Sequence, residues 1–392
     1  MIKVVWLCHF ANKEMKDYFQ TPHIMEMAPW INNLIEMFKV RNEIELHVVA
    51  PNVFTNQDCS FVKENIYYHF FSIRHKFIPK KVNTLIKILF GTNYSHIKYK
   101  IKSIIYNINP QLIHLHGAEN PYYSAGILYL IGEIPTLTTI QGFIRNTDSL
   151  NKESRKRIAV EKEIIQRCNN FGVRTKEMSE IVHSLNPKAK LFFHNYPLTI
   201  PKYITTNEST FDIIFFARVC KDKGIEDLLK ALIQVKIEKP QISLHIIGPV
   251  RKSYKDYLNN IIKSYGLESN VVWVGFLENQ QEIFKYAVNA RICVLPTYHD
   301  IIPGTIIESM YMKLPVVAYA VGGIPELNEE EETVLLVEKK NIPFLANSIV
   351  KLLNNENGRR TMAEKAYCYA LKKFNNSNVV ADLVKAYEQI IN

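Results

Sequence analysis

Apolar, β-branched runs alternate with helical patterns along almost the whole chain, and this alternation limits the fold more than any other feature. The first half carries "IKVVWLCHF", "IELHVVAP", "YYHFFSI", "LIHLHG", "PTLTTIQ", "FGVRT" and "KLFFHN". Helical stretches such as "HIMEMAPWINNLIEMFKV" separate most of them. Many of the runs are apolar on both faces rather than alternating, which marks parallel strands buried on both sides. Alternating strands and helices predict doubly wound α/β sheets with right-handed crossovers.

The alternation lapses once, at "YPLTIPKYITTNESTF", where two prolines and a polar cluster read as a linker. It then restarts with "DIIFFARV", "ISLHIIGP", "VVWVGF", "ARICVLP", "PVVAYA" and "TVLLVE", and turns helical after Lys339. The 392 residues fit two or three domains at roughly 100–200 residues each. The expected division is residues 1–197, a linker at 198–210, residues 211–375, and a final helix at 376–392. The fold expected is α/β, with two Rossmann-like β/α/β domains facing across a cleft, where the carboxyl ends of parallel strands bind ligands.

Composition narrows the function. No apolar run approaches the ~20 residues of a membrane span, and "MIKVVWLCHF" reads as a strand rather than a signal peptide. The six cysteines are scattered, without zinc spacing, which fits a reducing cytoplasm better than a disulfide scaffold. The net charge of +10 predicts anionic partners. From Asn65 to Ala118 there is no acid, but there are Arg74, Lys76, Lys80, Lys81, Lys87, Lys98, Lys100 and Lys102. That span reads partly as basic, apolar-sided helix ("KKVNTLIKILF", "IKYKIKSIIYNI"), so an anionic membrane surface is an expected partner; a solvated basic face is the plainer account. Nucleic acid is not expected, because no recognition motif accompanies the charge.

Chemistry-bearing residues cluster at predicted strand ends of the second half. Arg218 and Lys223 follow "DIIFFA", where Arg offers a planar fork and Lys a point charge to phosphate. Gly248 and Gly275 end two further strands and would let a ligand approach the backbone, although plain turns explain them as well. After "ARICVLP" comes "DIIPGTIIE", in which Asp300 and Glu308 bracket seven residues. Pro303 suits a first helical position, so Gly304, Thr305 and Ile306 would present backbone N–H groups to an anion. Glu308, one turn in, could accept a ribose diol; equally, acids near a helix start favour the macrodipole. "GGIPEL" follows the next strand, with Gly322 and Gly323 as a further nest or turn.

The order of these features resembles the nucleotide-sugar-binding domain of the retaining family 4 glycosyltransferases, which have the GT-B fold. Two acids seven residues apart, "LPVVAYA" and "GGIPEL" carry the likeness, over Phe211 to about Phe374. The resemblance implies that Arg218 and Lys223 bind the donor diphosphate, that Glu308 binds the ribose, that Asp300 contacts the sugar, and that the backbone at Gly304–Ile306 holds phosphate and sugar. Arg218, Lys223, Asp300 and Glu308 are thus the expected catalytic set. It also implies no metal and no cofactor, the nucleotide-sugar being a substrate. The acceptor, a glycan or a lipid-linked one, would bind the N-terminal domain, with His116, Glu119 and Gln141 as candidates. The final helix would pack back on that domain.

Three positions depart from the family pattern. Asp300 is one methylene shorter than the usual Glu. Asn12 and Lys13, in the loop "CHFANKEMKDYFQ", stand where a glycine pair is usual. Gln141-Gly142 occupies the place of a His, and Gln cannot take up a proton at neutral pH. The expected function is glycosyl transfer to a hydroxyl with retention, in surface polysaccharide or glycolipid synthesis. The alternatives are a non-catalytic nucleotide-sugar-binding partner of another transferase, or a GT-B sugar-nucleotide epimerase.

Overall fold

The computed structural model describes residues 1–20, 27–53, 55, 57–73, 94–144, 152–204 and 209–392. They form two compact units, Met1–Pro197 with Asn376–Asn392, and Leu198–Asn375.

The first unit is built on an eight-stranded sheet of order β3-β4-β2-β1-β5-β6-β7-β8. Its strands are β1 (Ile2–Leu7), β2 (Ile44–Asn52), β3 (Cys59–Lys63), β4 (Ile66–Ser72), β5 (Leu112–His116), β6 (Thr136–Thr139), β7 (Asn170–Val173) and β8 (Lys190–Phe193). From β4 to β8 every neighbouring pair is parallel. β5 is buried along its whole length, as befits a central strand of a parallel sheet, and its two histidines, His114 and His116, are buried with it. β3 corrects the all-parallel expectation: it pairs antiparallel with β4 at the sheet edge. Their turn places Glu64 and Asn65 at φ 51° and 63°, the two positive values that match the twist of a tight hairpin.

A second correction concerns "CHFANKEMKDYFQ", which is not simply a loop. Lys13–Phe19 is a helix, and Asn12 Oδ1 accepts from the Met15 N–H at 3.0 Å. The Asn12 side-chain oxygen is therefore committed to a helix cap.

The final helix, Asn376–Ile391, belongs to this unit and buries Val379, Val380, Leu383 and Tyr387. Tyr387 starts a chain of buried hydrogen bonds. Trp6 Nε1 donates to its hydroxyl at 2.8 Å, and that hydroxyl lies 2.7 Å from His114 Nδ1. His114 Nε2 is 2.7 Å from Thr139 Oγ1, which is 2.9 Å from His194 Nε2; His194 Nδ1 is 3.2 Å from the Asn195 carbonyl. An indole N–H only donates and a carbonyl only accepts. With both imidazoles neutral, every proton in the chain then has one position, running from Trp6 to Asn195. Burial favours that neutrality: it holds His114 well below the ordinary histidine range and His194 down to about 4.

The helix Ser95–Ile108 covers part of the basic span. It buries Ile97, Ile101, Ile105 and Ile108 on one face. Lys100 pairs with Asp58 at 2.6 Å and Lys102 with Glu133 at 3.0 Å, so acids from outside the span neutralise both. Arg74, Lys76, Lys80, Lys81, Lys87 and "KKVNTLIKILF" lie outside the described residues. Among the described residues no helix is long and apolar enough to cross a membrane.

The second unit has a six-stranded, wholly parallel sheet of order β11-β10-β9-β12-β13-β14. Its strands are β9 (Phe211–Phe216), β10 (Leu244–Ile247), β11 (Val271–Gly275), β12 (Ala290–Leu295), β13 (Val316–Tyr319) and β14 (Leu335–Val337). Ile213, Ile214 and Phe215 of β9 have no exposed surface; burying each such side chain contributes about 1.5–3 kcal/mol. The winding reverses between β9 and β12. In an open parallel sheet such a switch point leaves a crevice at the carboxyl ends of the two strands.

Candidate functional site

Both strands at the reversal deliver polar residues to that crevice. β9 runs into Arg218, which is exposed and has no ion-pair partner among the described residues. A short 3-10 turn, Lys221–Lys223, follows and leads into the helix Ile225–Glu238. β12 runs into Pro296, Thr297 and Asp300 before the helix Gly304–Tyr311 begins.

The structure joins Lys223 and Asp300, which are 77 residues apart in sequence. Lys223 Nζ lies 2.5 Å from Asp300 Oδ2, and the Thr297 hydroxyl donates to the same oxygen at 2.7 Å. The Tyr298 N–H bonds the Asp222 carbonyl at 2.8 Å, tying the two loops together by backbone as well. The "GG" turn braces this loop from the other side. Gly323 N–H donates to the Ile301 carbonyl at 2.7 Å. Gly322, at φ 55°, sits so close that a Cβ would lie 1.7 Å from the Asp300 carbonyl oxygen. A side chain there would displace the loop. Gly323 thus spends its N–H on the Asp300 loop rather than on an open nest.

Gly248 has an internal reason too. At φ 142° its missing Cβ would fall 1.9 Å from the Ala217 carbonyl oxygen, so the close approach is to the chain's own backbone. Gly275, at φ 99°, faces open space.

The helix start is partly open. Pro303 caps Gly304–Tyr311 without a side-chain hydrogen bond. Ile306 N–H is occupied by the Pro303 carbonyl at 3.1 Å, which corrects its place among the three expected free donors. The N–H groups of Gly304 and Thr305 have no acceptor among the described residues. The Thr305 hydroxyl donates to the Phe216 carbonyl at 2.9 Å, which fastens the helix start to the end of β9.

Glu308 is 8% exposed. Its Oε1 accepts from Gln280 Nε2 at 2.5 Å. Burial pushes this carboxyl up to about 8, against the opposing pull of the Gln280 hydrogen bond. A Cβ on Gly304 would lie 3.7 Å from Glu308 Oε1, so the carboxyl lies over the open first turn of its own helix.

The N-terminal candidates belong to the other unit. His116 is in its interior with no exposed surface, against the expectation of an outward-facing strand end. Its ring packs edge-on to Trp6 at 4.9 Å and lies 3.7 Å from that of His114. Glu119 is half-buried with its carboxyl folded toward Gly117. Burial, with Glu161 nearby, pushes that carboxyl up to about 7. Gln141, just beyond β6, is half-buried.

Thr297 and Gln280 are site residues that the sequence did not announce. Thr297 stands between a strand and an acid, where any small polar residue fits. Gln280 carries only a helix-start signal, because Asn279 caps its helix by accepting from the Gln281 N–H at 2.8 Å.

A basic side chain held against an acid at a parallel-sheet switch point, beside an open helix start and a buried carboxyl, makes this crevice of an α/β unit a candidate site for an anionic, hydroxyl-bearing ligand. Residues 199–368 match the family model "Glycosyl transferases group 1". An uncharacterised glycosyltransferase of Methanocaldococcus jannaschii is 24% identical over 94% of this chain and 96% of its own length. A second one from that organism is 27% identical over 45% of this chain, and the match spans 44% of that relative. Sucrose-phosphate synthase from Thermosynechococcus elongatus shares the fold at a TM-score of 0.75 and 17% identity, covering 100% of this chain and 99% of its own. Anabaena HepE, solved in complex with UDP, does so at 0.72 and 16%, covering 99% and 100%. The second unit is thus similar to group 1 glycosyl transferase domains over residues 199–368, and the chain shares the fold of GT-B structures, with its two α/β domains.

Proposed function

We propose that the chain moves a sugar from a nucleotide-sugar donor to an acceptor hydroxyl with retention of anomeric configuration, in surface polysaccharide or glycolipid synthesis. The observation that carries this reading is the convergence of Lys223, Asp300 and the open helix start of Gly304 and Thr305 on one crevice. Arg218 and Lys223 hold the donor diphosphate and, with the helix start, stabilise the negative charge that grows on it as the glycosidic bond breaks. Glu308 accepts the ribose diol. Asp300 aligns Lys223 and grips the sugar. The leaving phosphate takes the acceptor proton, so Gln141 need not act as a base. Fixed cations and helix N–H groups supply the charge stabilisation, and no metal enters this reading. UDP bound to HepE, a fold neighbour, favours a nucleoside diphosphate for the crevice.

Thermal-shift and calorimetric titration of the chain with UDP, GDP and ADP tests the nucleotide assignment, since a bound ligand stabilises by mass action. Absence of binding to all three sinks it. Donor hydrolysis and transfer across a panel of sugars then tests catalysis. Binding without either reaction favours the second reading, a non-catalytic nucleotide-sugar-binding partner. The engagement of Asp300 by both Lys223 and Thr297 is the observation on its side.

For the acceptor we propose a glycan or lipid-linked molecule held by the first unit, with the chain on the cytoplasmic face of an anionic membrane. The acid-free basic span supports the membrane part. Sedimentation with anionic and neutral vesicles tests it, and equal, negligible binding to both would refute it.

A further inference from the structure

We propose that Gln280 is a positioning residue for nucleotide binding: its side-chain amide holds the Glu308 carboxyl in place for the donor's ribose diol. The inference rests on the reading of Glu308 as the ribose-binding carboxylate. It adds a residue from a different element of the same unit, the helix Gln280–Ala287 that follows β11.

Three observations carry it. First, the contact is enclosed, with Gln280 Nε2 donating to Oε1 of a carboxyl that is 8% exposed. Second, the nitrogen of the amide faces the carboxyl. A carboxylate offers about four lone-pair sites, so one amide leaves both hydroxyls of a diol their acceptors and need not be displaced. Third, the backbone of Gln280 is anchored on both sides. Asn279 caps the helix, and Gln281 binds the segment before β9, donating to the Ile200 carbonyl at 3.0 Å and accepting from the Lys202 N–H at 3.2 Å. A donor on so fixed a support constrains where the carboxyl points.

The electrostatics agree in sign. An N–H donor favours the charged acceptor over the neutral acid. From β12 the buried Cys293 thiol is the titratable group that interacts with Glu308. Among the described residues no cation forms an ion pair with this carboxyl. Gln280 is thus its one resolved stabiliser against burial. Without it the carboxyl would be neutral to a higher pH and a poorer acceptor at neutrality.

The experiment is calorimetric titration of the full chain with UDP, GDP and ADP from pH 6 to 9.5, for the wild type, Gln280→Leu, Gln280→Asn and Glu308→Gln. Leu keeps the volume of Gln without a donor. The wild-type affinity is expected to rise with pH and level off above about pH 8. Gln280→Leu should bind about tenfold more weakly near pH 7, the weight of one hydrogen bond to a charged group. It should approach the wild type by pH 9.5, its profile displaced to higher pH, with Gln280→Asn between the two. Profiles of Gln280→Leu and wild type that superimpose would overturn the proposal. So would a uniform loss at every pH together with a lower urea midpoint, because that is the signature of a merely structural residue. Glu308→Gln separates this failure from that of the underlying reading: it should bind weakly with no pH dependence, and wild-type binding by this variant removes Glu308 from the ribose, and Gln280 with it.

Discussion

Lys223 faces two competing anions in the proposed reaction, Asp300 at 2.5 Å in the structure and the donor diphosphate. Removing the cation and removing its intramolecular partner should therefore have different consequences. Lys223→Ala is expected to weaken UDP binding about 10–100-fold, the range for a hydrogen bond to a charged group. Asp300→Asn removes the charge that competes with the diphosphate for the lysine, so UDP affinity should hold or improve while sugar transfer falls. Calorimetry and a donor-turnover assay read the two effects separately. Equal loss of UDP affinity in both variants would mean that the ion pair only shapes the loop. Glu308 makes a prediction of opposite sign to its binding role. Its folded value of about 8 lies above the ordinary carboxyl range near 4.5. Between those values the native state holds a proton that the unfolded chain has lost, so nucleotide-free stability declines as pH rises from about 4.5 and levels off above about 8. Glu308→Gln should flatten that decline in urea titrations run at a series of pH values.

Among elements, the final helix is held by hydrogen bonds whose direction is set at both ends. Tyr387→Phe would leave Trp6 Nε1 and His114 Nδ1 buried and unpaired, at a cost of about 1–3 kcal/mol. Thr139→Val interrupts the same chain two steps on, so the double variant should lose less than the sum of the singles in urea unfolding. Acid should weaken the same chain, because neutral buried His114 and His194 must take up protons that the unfolded chain binds near 6.5; this component of stability is lost as pH falls from about 6.5 toward 4. The strands proved readable because parallel strands buried on both faces need long apolar runs, as in "DIIFFARV". β3 was not, since "CSFVK" is a five-residue edge strand with no buried residue and its turn, Glu64-Asn65, lacks the glycine that usually marks a hairpin. The helix Lys13–Phe19 was hidden behind Asn12, a cap that only its geometry reveals. At the candidate site, charge and spacing singled out Lys223, Asp300 and Glu308, and the family resemblance supplied their expected roles. Thr297 and Gln280 act through hydrogen bonds between distant segments, for which one sequence carries no local signal.

For the whole molecule, the division into two units has a thermodynamic consequence. The proposed nucleotide-binding residues, Arg218, Lys223, Gly304, Thr305, Glu308 and Gln280, all lie in Leu198–Asn375, whereas the last helix completes the core of the other unit. Ligand stabilisation and loss of the last helix should therefore act on different parts of the unfolding curve. In scanning calorimetry of the full chain, UDP at about 100 times its Kd should stabilise the second unit by about 2.7 kcal/mol and raise its transition. Removal of residues 376–392 deletes Val380, Leu383 and Tyr387 from the first unit's core and should lower the other transition, because a large cavity and the unpaired Trp6 and His114 remain. UDP affinity should survive this truncation within a few-fold. A truncated chain that unfolds in one transition and no longer binds UDP would show that the two units fold as a single cooperative body, and that the last helix supports the nucleotide site through the first unit.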